Sequence, residues 1–272
     1  MVSSKDVKAT LTGYLRELHL PAFRETYEEA AHRAQQETLS YEQYLLELTE
    51  RECEVRRANR VERMLKQSRL PLEKSLENFD LKYLPAKVAR EVRTLAEGSF
   101  LDRCENLLVF GHSGTGKTHL LAGVGQELIR LGRKVYFRTC SLLVQELLIA
   151  KRDLKLSRVL KRLSGFDAII IDDIGYAEQS REEMEVLFTL LAERYERGSV
   201  MLTSNLPFSK WEVIFRDRMT TCAAIDRLVH HSMILQLDVR SYRLKEAERK
   251  QKKEPSKPGR VRQRERVRMG PY

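Results

Sequence analysis

Residues 111–118 read GHSGTGKT, and this octet constrains the chain more than anything else in it. It fits G-x-x-x-x-G-K-[ST], directly follows the apolar run LLVF (107–110) and precedes a helical stretch. Strand, glycine-rich loop and helix in that order predict a phosphate-binding loop. The glycines let backbone N–H groups turn inward, and the helix adds the positive end of its dipole. Gly111, His112, Ser113, Gly114, Thr115, Gly116, Lys117, Thr118 and the adjoining His119 are therefore the expected nucleotide-binding residues. Lys117 is expected to reach the β- and γ-phosphates, and the Thr118 hydroxyl to coordinate Mg²⁺.

The surrounding pattern agrees. From about residue 100, short apolar runs alternate with helix-length amphipathic stretches: LLVF, VYF (135–137), AIII (168–171), VMLT (200–203) and MILQL (233–237). Such runs predict an α/β fold with a mainly parallel five-stranded sheet covered on both faces. The helix at 181–196 is the clearest, with Ser180 and Glu183 boxing its start, an apolar face of Met184, Leu187, Phe188 and Leu191, and Gly198 expected to end it. The third run continues into AIIIDDIG (168–175), where a buried strand ends in two carboxylates. Asp172 is the expected metal ligand and Asp173 the expected base that polarises the attacking water. A glutamate is usual in the second role, and Asp173 is one methylene shorter. The fourth run continues into VMLTSN (200–205), ending in a polar pair. Asn205 alone would read as a turn residue, but a strand lying between the other two would bring it to the γ-phosphate.

Charge and composition divide the rest of the chain. The net charge of +10 is concentrated in residues 249–272, which hold ten basic and two acidic side chains and three prolines. That tail is expected to be disordered alone, and reads either as an arm that neutralises nucleic-acid phosphates or as a solubilising terminus. Residues 1–70 read as all-helical. Ser40 and Gln43 form a capping box for a helix running to about Gln67, with Leu45, Leu48, Val55, Val61 and Leu65 as an imperfect apolar stripe. On another face lie Arg56, Arg60 and Arg63, with Arg57 beside them, a set that could track a DNA backbone or be an ordinary solvated surface. This gives a helical DNA- or partner-binding region (1–70), a nucleotide domain (71–248) and a basic tail (249–272). The four cysteines form no CxxC pair, no run approaches the ~18 apolar residues of a membrane span, and MVSSKDVKAT is not an apolar leader, so a cytoplasmic protein is expected.

Two arginines stay open on the residues alone. Arg227 in AAIDRLVHH and Arg243 in SYR could be surface ion-pair partners, or one could reach a neighbouring subunit's γ-phosphate. His230 and His231 show no ligand companions in the sequence and read as helix-end or surface residues.

Together GHSGTGKTHL, IIIDDIGY, RYERGSVMLTSNLPFSKW and DRLVHHS…SYRL resemble the IstB-like group of AAA+ ATPases, helpers encoded beside a transposase in bacterial insertion sequences and related to the helicase loader DnaC and the initiator DnaA. The resemblance covers about residues 75–245. It implies an AAA+ core binding ATP with Mg²⁺ between subunits of a homo-oligomer, Asn205 as sensor 1, Arg227 as an arginine finger in trans and Arg243 as sensor 2. It also implies ATP-driven assembly on duplex DNA, presentation of that DNA to a cognate transposase, and release or handover on hydrolysis. The family's carboxylate pair is similarly Asp-Asp. ENFDLKYLP (77–85) sits where such proteins wrap the adenine, which makes Phe79 a candidate neighbour of the base or simply a core aromatic. Other readings stay open. A DnaC-like loader would bind a helicase and single-stranded DNA. A small-molecule P-loop kinase and a scaffold that barely hydrolyses ATP are further alternatives.

Overall fold

The computed structural model describes residues 4–175, 180–212, 218–239 and 241–242. Three helices open the chain: α1 (Ser4–Glu17), α2 (Pro21–Gln36) and α3 (Tyr41–Ser68). Both halves of the expected capping box form, with Gln43 N–H donating to Ser40 Oγ (3.2 Å) and Ser40 N–H to Gln43 Oε1 (2.8 Å). The helix stops where Arg69 turns left-handed (φ 61°) ahead of Leu70-Pro71, which cannot continue it. Leu48 is buried against α2 but Leu45 is exposed, because only one stripe of α3 meets its single neighbour here. Glu52, the buried carboxylate of α3, accepts the Ala22 N–H at 2.9 Å and so caps the start of α2. In its last turns α3 changes partner: Val61, Met64 and Leu65 pack into the α/β core.

All five apolar runs are strands: β1 (Asn106–Gly111), β2 (Val135–Thr139), β3 (Ala168–Ile174), β4 (Ser199–Ser204) and β5 (Ser232–Leu237). They form one parallel sheet in the order β2-β3-β4-β1-β5. The period-2 alternation of strand side chains divides the core into two layers. Leu108, Ile169, Ile171, Val200 and Leu202 face one layer, with α7 (Cys140–Arg152), α8 (Leu156–Ser164), α9 (Arg181–Arg194) and α10 (Arg218–Val229). Leu107, Val109, Ile170, Met201 and Leu235 face the other, with α4 (Ala86–Ala96), α5 (Ser99–Asp102), α6 (Lys117–Arg130) and the end of α3. Sheet and helices therefore form the expected three-layer α/β sandwich, with β4 between the loop-bearing β1 and the carboxylate-bearing β3.

One feature at the amino-terminal end of the sheet departs from expectation. The capping box of α9 forms, but the helix ends at Arg194 and Gly198 lies beyond it. Arg194 is 2% exposed and donates from Nη1 to Phe166 O (2.7 Å) and from Nη2 to Asp167 O (2.9 Å) and Ser199 O (3.0 Å). Gly198 is glycine because a Cβ there would overlap that guanidinium. Burial pushes the guanidinium pKa down to about 10, a measure of what it costs to keep the charge inside. The carbonyls repay that cost with charge-assisted bonds. Arg194→Ala is expected to lower the unfolding free energy by about 3 kcal/mol or more, from the cavity and the stranded carbonyls together. Urea unfolding followed by circular dichroism checks this, and a change below about 0.5 kcal/mol would show that water replaces the guanidinium.

Candidate functional site

The site lies along the carboxyl edge of the sheet, where parallel α/β folds hold their ligands. β1 ends at Gly111 and the loop returns into α6 at Gly116, whose φ of 94° is the left-handed region that glycine occupies without strain. A second constraint acts there too: a Cβ on Gly116 would sit 2.9 Å from the Phe79 ring. Phe79 thus packs directly on the loop, edge-on to His119 (centroids 5.2 Å apart), while the His119 ring nitrogen Nε2 lies 2.9 Å from Ser75 O. The sequence offered Phe79 as base neighbour or core residue, and its position beside Gly116 and His119 is compatible with both.

Lys117 is buried at 8% exposure, and its ammonium donates to Gly111 O (2.8 Å) and His112 O (2.9 Å), which holds it in the crook of the loop. Thr115 Oγ1 closes the turn onto His112 O at 2.9 Å. His112 and Ser113 are exposed at its tip. From a separate part of the chain, Tyr242 N–H donates to Gly114 O (2.8 Å) and its ring meets Tyr83 edge-on. Arg243, the residue after it, lies outside the described residues, as does the tail 249–272.

The two acidic positions are joined to the loop by a chain of hydrogen bonds. Thr118 Oγ1 lies 2.9 Å and 3.0 Å from the two carboxylate oxygens of the buried Asp172. Thr203 on β4 donates its hydroxyl to Asp172 Oδ1 (2.7 Å) and accepts the Asp173 N–H at 2.7 Å. Asp173 itself has φ 65°, and the β3–β4 register shifts between Ile171 and Ile174. A left-handed aspartate costs on the order of 1–2 kcal/mol and persists only where its surroundings enforce it. Thr203 supplies that enforcement. The sequence reading missed Thr203 by taking VMLT as a plain apolar run, although a hydroxyl inside a strand buried on both faces was itself a signal.

The alcohol of Thr118 and the carboxylate of Asp172, side by side at the mouth of the loop, are the hard oxygen donors that suit Mg²⁺. Asn205, just past β4, lines a cavity of about 360 Å³ with Gly111, His112, Phe208 and Gln236. Its Oδ1 is buried and has no hydrogen-bond partner among the described residues, which leaves an unsatisfied polar group beside the loop.

The structure separates Arg227 from this edge. Its carbonyl and that of Leu228 bond Asn106 Nδ2, at the first residue of β1 (3.4 Å and 3.0 Å), whereas the loop follows the last. Five strand steps, about 17 Å, lie between them. The guanidinium instead stacks 4.8 Å from the Phe188 ring. Its Nη1 also donates to Ala223 O (3.0 Å), so the guanidinium is held on α9 and α10 rather than on its own phosphate loop. The α3 arginines also divide. Arg56 is committed within the helical region, to Glu52 Oε1 (2.8 Å) and His19 O (2.6 Å). Arg57, Arg60 and Arg63 are exposed and make no ion pair among the described residues. The histidines differ from expectation too, since Glu196 joins His230 and His231 in space.

Comparison with known proteins agrees with this geometry. Residues 13–250 match the family described as IstB-like ATP binding protein. An insertion-sequence ATP-binding protein of Sinorhizobium fredii is 39% identical over 88% of this chain and 81% of its own length. One from Geobacillus stearothermophilus is 36% identical over 91% of this chain and 99% of its own. Among solved structures, AMPPCP-bound DnaA from Aquifex aeolicus superposes with a TM-score of 0.53 at 20% identity, over 68% of this chain. The match spans just over half, 56%, of that DnaA chain. DnaI gives 0.51 at 20% identity, over 64% of this chain and 94% of its own. These likenesses show the AAA+ fold. No helix among the described residues is long and apolar enough to cross a membrane.

Proposed function

This chain belongs to the IstB-like ATP-binding protein family, and from that premise we propose that it is a cytoplasmic ATPase that assists transposition of an insertion sequence. In this reading it oligomerises with ATP on duplex DNA, presents that DNA to its transposase, and releases or hands it over on hydrolysis. The observation that carries the reading is the bonded chain Thr118–Asp172–Thr203–Asp173 at the mouth of the phosphate loop. It joins the residues that phosphoryl transfer needs.

Bound ATP with Mg²⁺ supplies the phosphoanhydride and the cation that neutralises its charge. The chain's own residues do the rest. Lys117 turns its ammonium from the loop carbonyls to the β- and γ-phosphates, backbone N–H groups of residues 112–118 surround them, and Thr118 and Asp172 hold the metal. Phe79 and His119 flank the adenine. Asp173 accepts a proton from the attacking water as the water oxygen bonds to the γ-phosphorus, while Asn205 orients that water through its amide oxygen. The bond from that phosphorus to the β,γ-bridging oxygen breaks, so that ADP leaves with the electron pair and inorganic phosphate forms. Arg227 of the next subunit stabilises the transferring charge in trans, and Arg243 contacts the phosphates from its own subunit. Arg57, Arg60 and Arg63, with Arg56 holding the helix face in place and the basic tail as an arm, follow the DNA backbone without reading sequence. The division into a helical DNA-binding region (1–70), an ATPase domain (71–248) and a tail (249–272) belongs to the same proposal.

Thr203→Val keeps the shape and removes both hydrogen bonds. It is expected to lower ATP turnover about 10- to 100-fold while ATP affinity changes by less than about threefold, since only the carboxylates lose support. Turnover at the wild-type rate would show that Asp173 keeps its position without Thr203.

The function as a whole is tested by sedimentation of the pure protein with long duplex or single-stranded DNA, in ATP and in ADP. Large ATP-dependent, salt-sensitive assemblies on duplex are expected. Small complexes that favour single strands would replace this reading with the helicase-loader one.

A further inference from the structure

At the opposite end of the sheet from the phosphate loop, three side chains converge that the nucleotide chemistry does not use. Glu196 sits in the turn between α9 and β4, at φ 57°. His230 and His231 lie between α10 and β5. One ligand atom from each, a carboxylate oxygen and two imidazole nitrogens, all fall within 4.8 Å of one another. Neighbouring residues usually direct their side chains apart, but these two rings stand with centroids only 4.1 Å apart. Their backbone is held. His230 N–H donates to Asp226 O (3.0 Å), and Asn106 N–H donates to His231 O at 2.7 Å.

We propose that Glu196, His230 and His231 form a binding site for a divalent transition-metal ion of the zinc type. Two imidazoles and one carboxylate select such an ion over Mg²⁺ or Ca²⁺, which take oxygen donors. Ligand atoms about 2.0–2.1 Å from a tetrahedral Zn²⁺ stand about 3.3 Å from each other, a gap these exposed side chains close by small rotations. The site has a supporting contact already in place: the Tyr195 hydroxyl lies 2.9 Å from His230 Nδ1. With Tyr195 accepting from Nδ1–H, the ring is oriented and Nε2 keeps its lone pair for the metal. Three protein ligands leave one coordination position open to water or to another molecule.

The placement gives the ion a structural consequence. His230 and His231 follow Arg227 by three and four residues, and Glu196 follows α9, whose Phe188 carries the Arg227 guanidinium. A bound ion ties the end of α10 to the end of α9 and stiffens the segment that presents Arg227. The site itself stands whether or not Arg227 acts on a neighbour's nucleotide.

Untagged, metal-stripped protein titrated with Co²⁺ and Zn²⁺, without nucleotide, tests this by equilibrium dialysis and by the visible absorption of bound Co²⁺. One ion per chain is expected, in the micromolar range or tighter. Glu196→Gln, His230→Ala and His231→Ala should each weaken binding at least about tenfold, and Tyr195→Phe about tenfold through the lost orienting contact. All four positions are removed from the phosphate loop, so ATP affinity should stay within about twofold and confirm that each variant is folded. No saturable binding would overturn the proposal. Equally, undiminished binding in a His230→Ala/His231→Ala double variant would overturn it and assign the ion to Cys53, Cys104, Cys222 or the loop histidines.

Discussion

Lys117→Ala is expected to weaken ATP binding by two to three orders of magnitude and to abolish ATP-dependent assembly. The ammonium is buried in the crook of the loop on Gly111 O and His112 O, so it is already confined beside the phosphate position and has only to turn from those carbonyls onto the phosphates. Charge-assisted hydrogen bonds contribute about 1.5–3 kcal/mol each, and contact with two phosphates makes the loss about 3–4 kcal/mol. At 1.4 kcal/mol per decade, a micromolar dissociation constant would become roughly millimolar. Calorimetric titration with a non-hydrolysable ATP analogue measures it, and sedimentation in ATP reads the assembly. The fold should survive, because removing the side chain leaves two loop carbonyls next to solvent rather than in the core. ATP-dependent assembly at wild-type levels in this variant would sink the proposed mechanism at its first step.

Arg227→Ala should have the complementary signature: turnover falls about 10³-fold while ATP affinity stays within about threefold. The separation follows from geometry. The backbone of Arg227 lies beside the first residue of β1, at the other end of that strand from the loop, and its guanidinium is held by Phe188 and Ala223 O, so no ground-state contact with its own nucleotide is lost. The cation–π contact itself contributes only about 0.5–1 kcal/mol, too little to unfold the domain. Arg227→Lys keeps the charge but lacks the planar fork, and should recover only part of the rate. A mixing experiment makes the trans arrangement directly visible. Subunits carrying Lys117→Ala do not assemble by themselves but keep an intact finger, and subunits carrying Arg227→Ala keep an intact loop. ATP held by an Arg227→Ala loop against a Lys117→Ala finger should therefore form mixed interfaces that regain turnover neither variant has alone. No recovery on mixing, with both variants still assembling together, would return Arg227 to its role as a packing residue on Phe188.

Much of this was legible in the residues because it depends on local rules. Both capping boxes, Ser40 with Gln43 and Ser180 with Glu183, formed as read, since a cap involves only residues three apart. The central strands β1, β3 and β4 were readable because they are largely buried on both faces and so must be apolar almost throughout. The edge strands β2 and β5 kept short apolar runs, although β5 exposes Ile234 and Gln236. β4 between β1 and β3 was expected from motif content and is what the sheet has. Failures came where a side chain serves another element. Gly198 looked like a helix stop, yet it is small to admit Arg194, which is itself four residues away along the chain but bonded to carbonyls about thirty residues distant. Arg56 is solvent-facing as read, but its spacing did not disclose that it is also fastened to Glu52 and His19, because α3 packs against the start of α2.

The sequence by itself determined the parallel α/β frame, the phosphate loop and the strand ends from which Asp172, Asp173 and Asn205 project. Periodicity and backbone chemistry act over a few residues and leave their record in order along the chain. Only the tertiary structure decided that Thr203 joins Asp172 to a left-handed Asp173, that Arg227 lies at the far end of the sheet from its own loop, and that Glu196 meets His230 and His231. Those relations link residues about thirty or more positions apart. They depend on which strands lie side by side and in what register, and a one-residue slip would undo each of them without changing the local pattern that made the strands readable.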